Sequence, residues 1–405
     1  EDLTGEHERI GRDHLDRTVM IKVNGGLGTS MGMPHAKSLL TARSGYTFLD
    51  VIRLQARSMD VPLLFMDSFH TQSDVAEYWE RRGVPSEERP RSFVQHKFPK
   101  LFESLEPASC PERPDLEWNP PGHGDVFAAL ETSGCLDELL EQGKRYAFIS
   151  NSDNLGAAVD PSILGYMAQK GHFFLMEVAK RYPRDKKGGH LALSPEGNFL
   201  LREIAQCPER DLDKFQDIER HRFFNTNNIW VDLKRLKAFI RERGLPQLPL
   251  IVNPKTLDPR DESTPKVLQL ETAMGAAIAT FPDSSALRIS RDRFMPVKKT
   301  SDLLAVRSDI FVLDASYKLR PSPRRELPPI HIELDGRYYG KVDDFEARFP
   351  SGPPSLLDCE SLSVTGDVLF RENVRCTGGV EVVNKSPSQQ VVPAGSELNG
   401  RVDLS

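Results

Sequence analysis

The sequence of 405 residues contains no apolar run near the ~20 residues that a membrane-spanning helix needs. It also contains no CxxC motif and no Cys/His spacing typical of a zinc site. An odd number of scattered cysteines favours reduced thiols, and the first residues lack the basic and apolar parts of an export signal. We therefore expect a cytoplasmic protein that binds no membrane. The five cysteines are Cys110, Cys135, Cys207, Cys359 and Cys376.

The sequence also lacks an excess of positively charged residues. Lysine and arginine number 53 against 59 aspartates and glutamates, which gives a net charge of −6. No overall positive field is available to hold nucleic acid, so a bound anion must be held by local cations and backbone amides. With 39% apolar and 28% charged residues, the composition excludes a mainly disordered chain and a collagen-like chain. The length predicts two or three domains.

Strand-like and helix-like segments alternate between residues 18 and 318, after a charged lead-in at 1–17. A helix is predicted at 47–59, where Thr47 and Asp50 form a capping signal. This alternation predicts an α/β domain with a doubly wound, mostly parallel sheet, whose ligands lie at the carboxyl ends of the strands. The predicted strands include 19–23, 61–66, 146–150 and 173–178.

The composition changes near residue 320. Four prolines crowd residues 321–329, so we interpret 319–348 as a linker and expect its nearby cations, Lys318, Arg320, Arg324 and Arg325, to be solvated. Beyond it, apolar residues recur every six positions in two interleaved series, a pattern typical of a β-helix. A plain β-meander is the alternative. We expect residues 349–405 to form the β-helix and to mediate self-association, because so short a solenoid leaves strand edges to cover. The series are Leu362, Val368, Val374, Val380 and Val364, Phe370, Cys376, Val382, with Val392 and Leu398 rejoining the first.

The strongest chemical signal is Lys22-Val-Asn-Gly-Gly-Leu-Gly-Thr-Ser-Met-Gly-Met-Pro-His-Ala-Lys-Ser38, directly after a predicted strand. Glycines let a backbone approach phosphate oxygens closely, and Lys37 adds a mobile positive charge. A flexible turn is the alternative interpretation. The loop is not a Walker A motif, because Ala36 precedes Lys37. Its spacing is GxGxxxG rather than the GxGxxG of dinucleotide-binding proteins, which disfavours an NAD-dependent dehydrogenase.

Asp153 follows the strand predicted at 146–150. A carboxylate at that position suits Mg²⁺, which takes oxygen ligands and keeps several waters. Because this motif holds a single carboxylate, phosphates would supply further ligands. Capping of the next turn is the alternative role.

With its glycine loop, the chain resembles the sugar-nucleotide pyrophosphorylases, and more narrowly the eukaryotic-type UTP–glucose-1-phosphate uridylyltransferases. Seven further segments match that family in order along nearly the whole chain. They are Pro120-Pro-Gly-His-Gly-Asp125, Ser150-Asn-Ser-Asp-Asn-Leu-Gly156, Lys187-Gly-Gly189, Phe224-Asn-Thr-Asn-Asn-Ile-Trp230, Ile251-Val-Asn-Pro-Lys-Thr256, Gln269-Leu-Glu-Thr-Ala-Met-Gly275 and Arg293-Phe-Met-Pro-Val-Lys-Lys-Thr-Ser-Asp302.

This resemblance implies a Rossmann-like nucleotidyltransferase domain and a left-handed β-helix at the C-terminus. It implies that UTP and glucose 1-phosphate react to UDP-glucose and pyrophosphate, with Mg²⁺ as cofactor. An oxygen of the sugar phosphate would attack the α-phosphorus in line. The second pKa of a phosphate monoester is about 6, so no general base is needed. Catalysis would then consist of positioning and charge neutralisation.

Residue roles follow from the matched motifs. As catalytic residues the resemblance implies Lys37, Lys298 and Asp153, with Asp153 holding the metal. Gln95 matches a glutamine of the family, but its neighbours Val94, His96 and Lys97 depart from the family pattern. The residues alone do not distinguish Lys298 from Lys299. Nucleotide binding is implied for Val23, Asn24, Gly25, Gly26, Lys37, Gln95, Gly122, Asp153 and Lys298, and sugar-phosphate binding for His123, Asn151, Lys187 and Asn227.

Two other functions remain open from the residues. A pyrophosphorylase for N-acetylhexosamine 1-phosphate, or one of broad sugar specificity, would use the same kind of loop. A non-catalytic sugar-nucleotide sensor would tolerate the loss of Asp153 or Lys298.

Overall fold

The computed structural model describes residues 2–259, 261 and 263–404 of the chain. Two units divide the polypeptide. Unit 1 comprises Glu1–Gly26, Gln55–Ser152 and Ala157–Phe294, and unit 2 comprises Leu27–Leu54, Asp153–Gly156 and Met295–Ser405. The chain thus passes from one unit to the other inside the glycine loop.

Helices of the described residues are short. The α-helices are α1 (Gly5–Arg12), α2 (Phe48–Ser58), α3 (Gln72–Arg81), α4 (Val126–Thr132), α5 (Cys135–Glu141), α6 (Pro161–Lys170), α7 (Leu212–Gln216), α8 (Leu233–Arg243), α9 (Thr300–Arg307), α10 (Gly336–Tyr339) and α11 (Val342–Arg348). None of these helices has the length and apolar character required to cross a membrane.

The strands of the described residues vary more in length. They are β1 (Thr18–Val23), β2 (Thr41–Arg43), β3 (Tyr46–Thr47), β4 (Leu63–Asp67), β5 (Arg91–Val94), β6 (Phe98–Pro99), β7 (Leu101–Phe102), β8 (Trp118–Asn119), β9 (Tyr146–Asn151), β10 (Phe174–Lys180), β11 (His190–Leu193), β12 (Phe199–Arg202), β13 (Phe223–Asp232), β14 (Leu250–Thr256), β15 (Lys266–Thr272), β16 (Ser284–Arg288), β17 (Phe311–Leu313), β18 (Leu319–Pro321), β19 (His331–Leu334), β20 (Ser355–Thr365), β21 (Val368–Phe370), β22 (Arg375–Asn384), β23 (Gln390–Val392) and β24 (Glu397–Leu404).

A nine-stranded sheet forms the centre of unit 1, in the order β12-β11-β13-β9-β1-β4-β5, with β10 beside β13 and β16 beside β10. Strands β9, β1, β4 and β5 run parallel, which confirms a mixed α/β fold with parallel strands at its centre. Strand β13 departs from this pattern because it runs antiparallel to β9 and to β10. The four strands predicted by composition correspond to β1, β4, β9 and β10.

Continuous apolar runs form the strands at the centre of the sheet because the sheet is buried on both faces there. Val19, Ile21, Ile149 and Phe174 belong to one cluster of buried side chains in unit 1. Helix α1 lies directly against α6. A Cβ at Gly11 would stand 1.7 Å from the carbonyl oxygen of Pro161, so glycine at this position allows the close contact. The N-terminal lead-in is therefore helical and ordered against the rest of unit 1.

The predicted capping signal of α2 is present. The backbone N–H of Asp50 donates to Oγ1 of Thr47 at 3.2 Å, and that of Thr47 donates to Oδ2 of Asp50 at 3.0 Å. These two bonds satisfy N–H groups at the start of the helix, which otherwise lack intrahelical partners. Helix α2 begins at Phe48, one residue later than predicted.

The C-terminal strands form parallel sheets in unit 2. One has the order β19-β20-β22-β24 and the other pairs β21 with β23. Leu362 lies beside Val380 and Val364 beside Val382, three six-residue steps along the chain. All ten residues of the period-six series are buried, so the repeat marks the inward positions as predicted.

Residues 319–348, predicted as a linker, contain β18, β19, α10 and α11 in the structure. The predicted boundaries at 17, 318 and 348 remain a prediction.

Arg325 differs from the expectation of a solvated cation. Its guanidinium donates to the carbonyl oxygens of Leu356 at 2.7 Å, Leu357 at 2.9 Å, Pro328 at 2.8 Å and Cys359 at 3.0 Å. Burial lowers its pKa. Arg325 therefore ties the proline-rich segment to the first long C-terminal strand, a contact that composition could not reveal.

Candidate active site

The glycine loop leaves the sheet of unit 1 at the carboxyl end of β1. Val23 pairs there with Met66 of β4 on one side and with Asn151 of β9 on the other. Two residues predicted to bind different substrates, Val23 and Asn151, are thus neighbours at one edge of the sheet. The amide oxygen Oδ1 of Asn151 is buried and has no hydrogen-bond partner among the described residues.

Asn24 is held on three sides. Its backbone N–H donates to the carbonyl of Met66 at 2.8 Å, and its side-chain Nδ2 donates to Oδ1 of Asp67 at 2.8 Å. Its Oδ1 accepts a hydrogen bond from Oγ of Ser152 at 2.9 Å. The side chain of Asn24, predicted to bind the nucleotide, is therefore engaged by the protein and orients the start of the loop.

Gly25 lies against the side chain of Gln95. A Cβ at Gly25 would stand 1.8 Å from Nε2 of Gln95, so no other residue fits without displacing that amide. A Cβ at Gly26, by contrast, would meet no atom of the described residues within 4 Å. The carbonyl of Gly25 accepts a hydrogen bond from Oγ of Ser68 at 2.8 Å. Gln95 is buried, and its Oε1 has no partner in the part of the chain that the structure describes.

The segment that carries Gln95 is fixed at two consecutive amides. The N–H of Gln95 donates to the carbonyl of Asp67 at 2.9 Å, and that of His96 donates to Oδ2 of Asp125 at 2.7 Å. Nδ1 of His96 also contacts Oδ1 of Asp125 at 2.9 Å. Burial raises the pKa of Asp125, and the bonds from His96 offset this only in part. The departure from the family pattern at His96 therefore has a local partner, the last residue of the Pro-Pro-Gly-His-Gly-Asp motif.

Gly122 and His123 contact the segment that matches Gln-Leu-Glu-Thr-Ala-Met-Gly. Gly122 has a φ of 79°, and a Cβ there would stand 2.6 Å from the carbonyl oxygen of Thr272. Both observations require glycine at this position. The backbone N–H of Met274 donates to Nδ1 of His123 at 3.0 Å. Nδ1 is thus an acceptor, which leaves Nε2 as the ring nitrogen that carries the proton.

Asn227 lies in a β-bulge of β13. The register between β10 and β13 shifts between Glu177 and Val178, and Asn227 has a left-handed φ of 56°. The side chain of Asn225 holds it, donating from Nδ2 to Oδ1 of Asn227 at 2.7 Å and accepting its backbone N–H at 2.9 Å. Such bulges redirect side chains and occur often beside active sites. Lys187 is exposed.

A buried ion pair precedes the segment of Lys298. The guanidinium of Arg293 donates to both carboxylate oxygens of Glu177, at 2.6 and 2.8 Å, and Glu177 is fully buried. Trp230 and Asn228 donate to the same carboxylate at 2.9 and 3.0 Å. Burial is the largest single effect and lowers the pKa of Arg293. The charge and hydrogen bonds of Glu177, with the charges of Asp160 and Asp292, together outweigh burial, and the pKa is raised. Of the three asparagines on β13, Asn228 thus points into the core.

In unit 2, Lys37 and Asp153 form an ion pair. Nζ of Lys37 lies 2.8 Å from Oδ2 of Asp153, while Oδ1 of Asp153 is buried without a partner among the described residues. The backbone N–H of Val297 donates to the carbonyl of Asp153 at 3.0 Å, and that of Met295 donates to Oδ1 of Asn154 at 2.9 Å. The segment that leads to Lys298 therefore runs alongside Asp153.

Lys298 and Lys299 share their exposure and one backbone partner, although only Lys299 is the N-cap residue of α9. Both side chains are exposed, and both backbone N–H groups donate to Oδ2 of Asp302, at 2.8 and 2.9 Å. Asp302 thereby stabilises the start of α9, as acidic residues do near helix N-termini.

A magnesium ion fits the donors present only if its substrates contribute ligands. Asp153 offers an unpartnered carboxylate oxygen, the type of donor that Mg²⁺ prefers. The described residues contain no group of three or more histidine, cysteine, aspartate or glutamate side chains able to hold a metal. Phosphate oxygens and water would have to complete the coordination.

Sequence reasoning missed Asp67, Ser68, Ser152 and Asp125, all of which hold the predicted residues in place. One signal was available for Asp67. It directly follows the apolar run 61–66, and Asp153 likewise comes shortly after a predicted strand, three residues beyond 146–150.

The family model described as UTP–glucose-1-phosphate uridylyltransferase matches residues 1–377. The chain belongs to the UTP–glucose-1-phosphate uridylyltransferase family. A member from Pyrus pyrifolia is 42% identical over 403 residues, covering 96% of this chain and 83% of its own length. A member from Saccharomyces cerevisiae is 40% identical over 398 residues, covering 96% and 78%.

Solved structures of this uridylyltransferase family are similar over nearly the whole chain. A mutant of UDP-glucose pyrophosphorylase from Leishmania major, in complex with UDP-glucose, superimposes with a TM-score of 0.90 at 40% identity. The alignment covers 100% of this chain and 88% of the Leishmania chain. A protein from Trypanosoma brucei described as UDP-glucose phosphorylase has a TM-score of 0.89 at 43% identity, covering 97% and 86%.

Proposed function

We propose that the chain transfers the uridylyl group of UTP to glucose 1-phosphate and releases pyrophosphate. In this reaction a phosphate oxygen of glucose 1-phosphate bonds to the α-phosphorus of UTP, and the bond from that phosphorus to the β-phosphate oxygen breaks. The nucleophile is already ionised near pH 7, because the second pKa of a phosphate monoester is about 6. The protein therefore has to position two anions and neutralise their charge rather than remove a proton.

The observation that carries this proposal is the pairing of Lys37 with Asp153, whose second carboxylate oxygen is buried and unpartnered. We assign that oxygen to Mg²⁺, which supplies charge neutralisation on the phosphates when bound. Lys37 then turns from Asp153 to a phosphate oxygen, and Lys298 neutralises phosphate charge from the segment beside Asp153. These three residues are the proposed catalytic groups.

The proposed nucleotide contacts lie at the carboxyl end of β1 and around it. Val23, Asn24, Gly25 and Gly26 present backbone that approaches the nucleotide closely. The unpartnered Oε1 of Gln95 accepts the N3–H of uracil, since a buried acceptor without a partner is costly until a ligand satisfies it. Gly122 presents its backbone to the base, while Thr272 fills the side on which a Cβ would stand.

The proposed sugar-phosphate contacts are amides, an imidazole and one lysine. Asn151 offers an unpartnered amide oxygen and Asn227 is oriented by Asn225, so both suit hydroxyl groups. His123 presents Nε2–H as a donor because its Nδ1 accepts from the backbone. Lys187 is exposed and adds a positive charge for the phosphate.

A pyrophosphate-release assay over a matrix of nucleoside triphosphates and sugar 1-phosphates tests the function. We expect product only with UTP and glucose 1-phosphate in the presence of Mg²⁺. Turnover of N-acetylglucosamine 1-phosphate in place of glucose 1-phosphate would contradict the substrate assignment, and binding without turnover would indicate a sensor.

Lys298 and Lys299 form a matched pair for the cation assignment. Both side chains are exposed and both backbone N–H groups donate to Asp302, so a methionine at either position keeps these backbone bonds. We expect K298M to lower kcat by about 100-fold, as removal of one stabilising donor does, and K299M to leave it within a factor of about three. The reverse ranking would move the role to Lys299.

For the C-terminal region we propose a left-handed β-helix that mediates self-association, with residues 18–318 as the catalytic domain. The parallel strands and the buried period-six series support the β-helix. Val391 of β23 is 42% exposed on a strand that pairs only with β21 among the described strands. Light scattering should give a multiple of the chain mass, and V391E should reduce it. A monomer at micromolar concentration would contradict this proposal.

We also propose a cytoplasmic location. None of the five cysteines forms a disulfide bond, as expected for a reducing compartment. Cell fractionation would test this, and recovery in a membrane or secreted fraction would count against it.

A further inference from the structure

Asp67 connects two of the proposed nucleotide-binding segments, the start of the glycine loop and the segment of Gln95. It is the last residue of β4 and is fully buried. Its carboxylate Oδ1 accepts from Nδ2 of Asn24 at 2.8 Å, and its backbone carbonyl accepts from the N–H of Gln95 at 2.9 Å. One residue thus holds the start of the glycine loop with its side chain and the Gln95 segment with its backbone.

The two segments tolerate little relative movement. Gly25 follows Asn24 directly, and its Cα faces the amide of Gln95 so closely that a Cβ would stand 1.8 Å from Nε2. Ser68, the next residue after Asp67, donates to the carbonyl of Gly25 at 2.8 Å. A shift of Asn24 would carry Gly25 with it and change the direction of the Gln95 amide.

We propose that Asp67 is a positioning residue for base selection, which holds Asn24 so that the glycine loop keeps the Gln95 amide in the orientation that distinguishes uracil from cytosine. This inference rests on the proposed role of Gln95. Uracil presents N3–H as a donor, whereas cytosine has an unprotonated N3 at the same position. A fixed amide oxygen therefore favours UTP, but an amide free to rotate can offer Nε2–H to cytosine instead.

An apolar core residue at this position would not have the same effect. Burial raises the pKa of Asp67 to about 6, and the Asn24 amide and the Ser92 hydroxyl offset the effect of burial only in part. A fully buried carboxyl group is tolerated at this position because it accepts a hydrogen bond from Nδ2 of Asn24. Asparagine has the same shape and keeps an acceptor oxygen, so it should replace aspartate in this role.

The test is the ratio of kcat/KM for UTP to that for CTP, measured for the full chain and for D67A, D67N, N24A and Q95A. We expect D67A to lower this ratio about 10-fold or more through KM for UTP, with kcat changed by less than about threefold, and N24A to lower the ratio by a similar factor. A misplacement of about 1 Å can cost about 100-fold, so a smaller displacement of the Gln95 amide accounts for about 10-fold in base selection. D67N should retain the ratio within about twofold, and the double variant D67A/N24A should lose no more than D67A alone.

Failure of this inference is distinguishable from failure of the proposed role of Gln95. If Q95A loses selectivity while D67A and N24A retain it, Asp67 does not position the amide. If Q95A itself retains selectivity, the role of Gln95 is wrong. Should D67A not fold, N24A decides the question, because it removes the hydrogen bond without changing β4. Full selectivity in folded N24A would overturn the proposal.

Discussion

Nζ of Lys37 lies 2.8 Å from Oδ2 of Asp153, and the two side chains are 18% and 20% exposed. Each charge therefore has its countercharge before any substrate binds. In the proposed site, the unpartnered Oδ1 of Asp153 would hold Mg²⁺ and Lys37 would bind a phosphate oxygen. Each of the two charges would then keep a partner of opposite charge, since a largely buried charge without one is costly.

The Lys37–Asp153 pair gives the first prediction. We expect K37M and D153N each to lower kcat by about 100- to 1000-fold, because each removes one charge on which stabilisation of the anionic transition state depends. Steady-state pyrophosphate release in Mg²⁺ measures this, with circular dichroism as the control for folding. An active, folded D153N with near-normal turnover would show that Asp153 is not the metal ligand.

Gly25 gives a second prediction. We expect G25A to raise KM for UTP by about 10-fold or more, because its Cβ would displace the Gln95 amide. G5A is the control, since Gly5 lies in α1 outside the proposed site and a Cβ there would meet no atom of the described residues within 4 Å. Both variants lose the same backbone freedom in the unfolded chain, and G5A should change KM less than about threefold. Equal KM values for the two variants would show that contact with Gln95 is unimportant.

The Arg293–Glu177 pair gives a prediction on stability. We expect R293M to lower the free energy of unfolding by about 3–5 kcal/mol, because it leaves the buried carboxylate of Glu177 without its charged partner. Urea denaturation followed by tryptophan fluorescence measures the change, since Trp230 donates to the same carboxylate. R288M, at an exposed arginine of β16, is the control and should change stability by less than about 0.5 kcal/mol.

Asp67 gives a prediction on pH. Its pKa is about 6 in the folded protein against 3.8 as the ordinary value, so the folded state binds this proton more tightly than the unfolded state. Stability is therefore lost as the pH rises from about 4 to about 6, by up to about 3 kcal/mol, and is not regained above pH 6. D67N has no such loss, so its advantage in Tm over the original chain should grow between pH 4.5 and pH 7.5. An advantage independent of pH would mean that Asp67 does not titrate in this range.

Several elements could be predicted from local pattern. The strands β1, β4, β9 and β10 follow from short apolar runs, and the cap of α2 from the spacing of Thr47 and Asp50. The buried positions of the C-terminal strands follow from a six-residue repeat. In each case the information lies within a few residues, because side-chain period and capping are local properties.

Contacts between distant segments could not be predicted in this way. The antiparallel course of β13 and the four carbonyls bound by Arg325 depend on which segments meet in space. His96 shows the same limit, since the sequence marks it only as a departure from a pattern and the structure pairs it with Asp125.

The sequence by itself shows the chemical groups proposed for the site: a glycine loop, a carboxylate after a strand and two motifs that contain a lysine. The fold was needed to reveal that Lys37 pairs with Asp153 and that Asp67 joins Asn24 to Gln95. Hydrogen bonds and ion pairs act over about 3 Å, and folding alone brings residues separated by tens of positions to that distance.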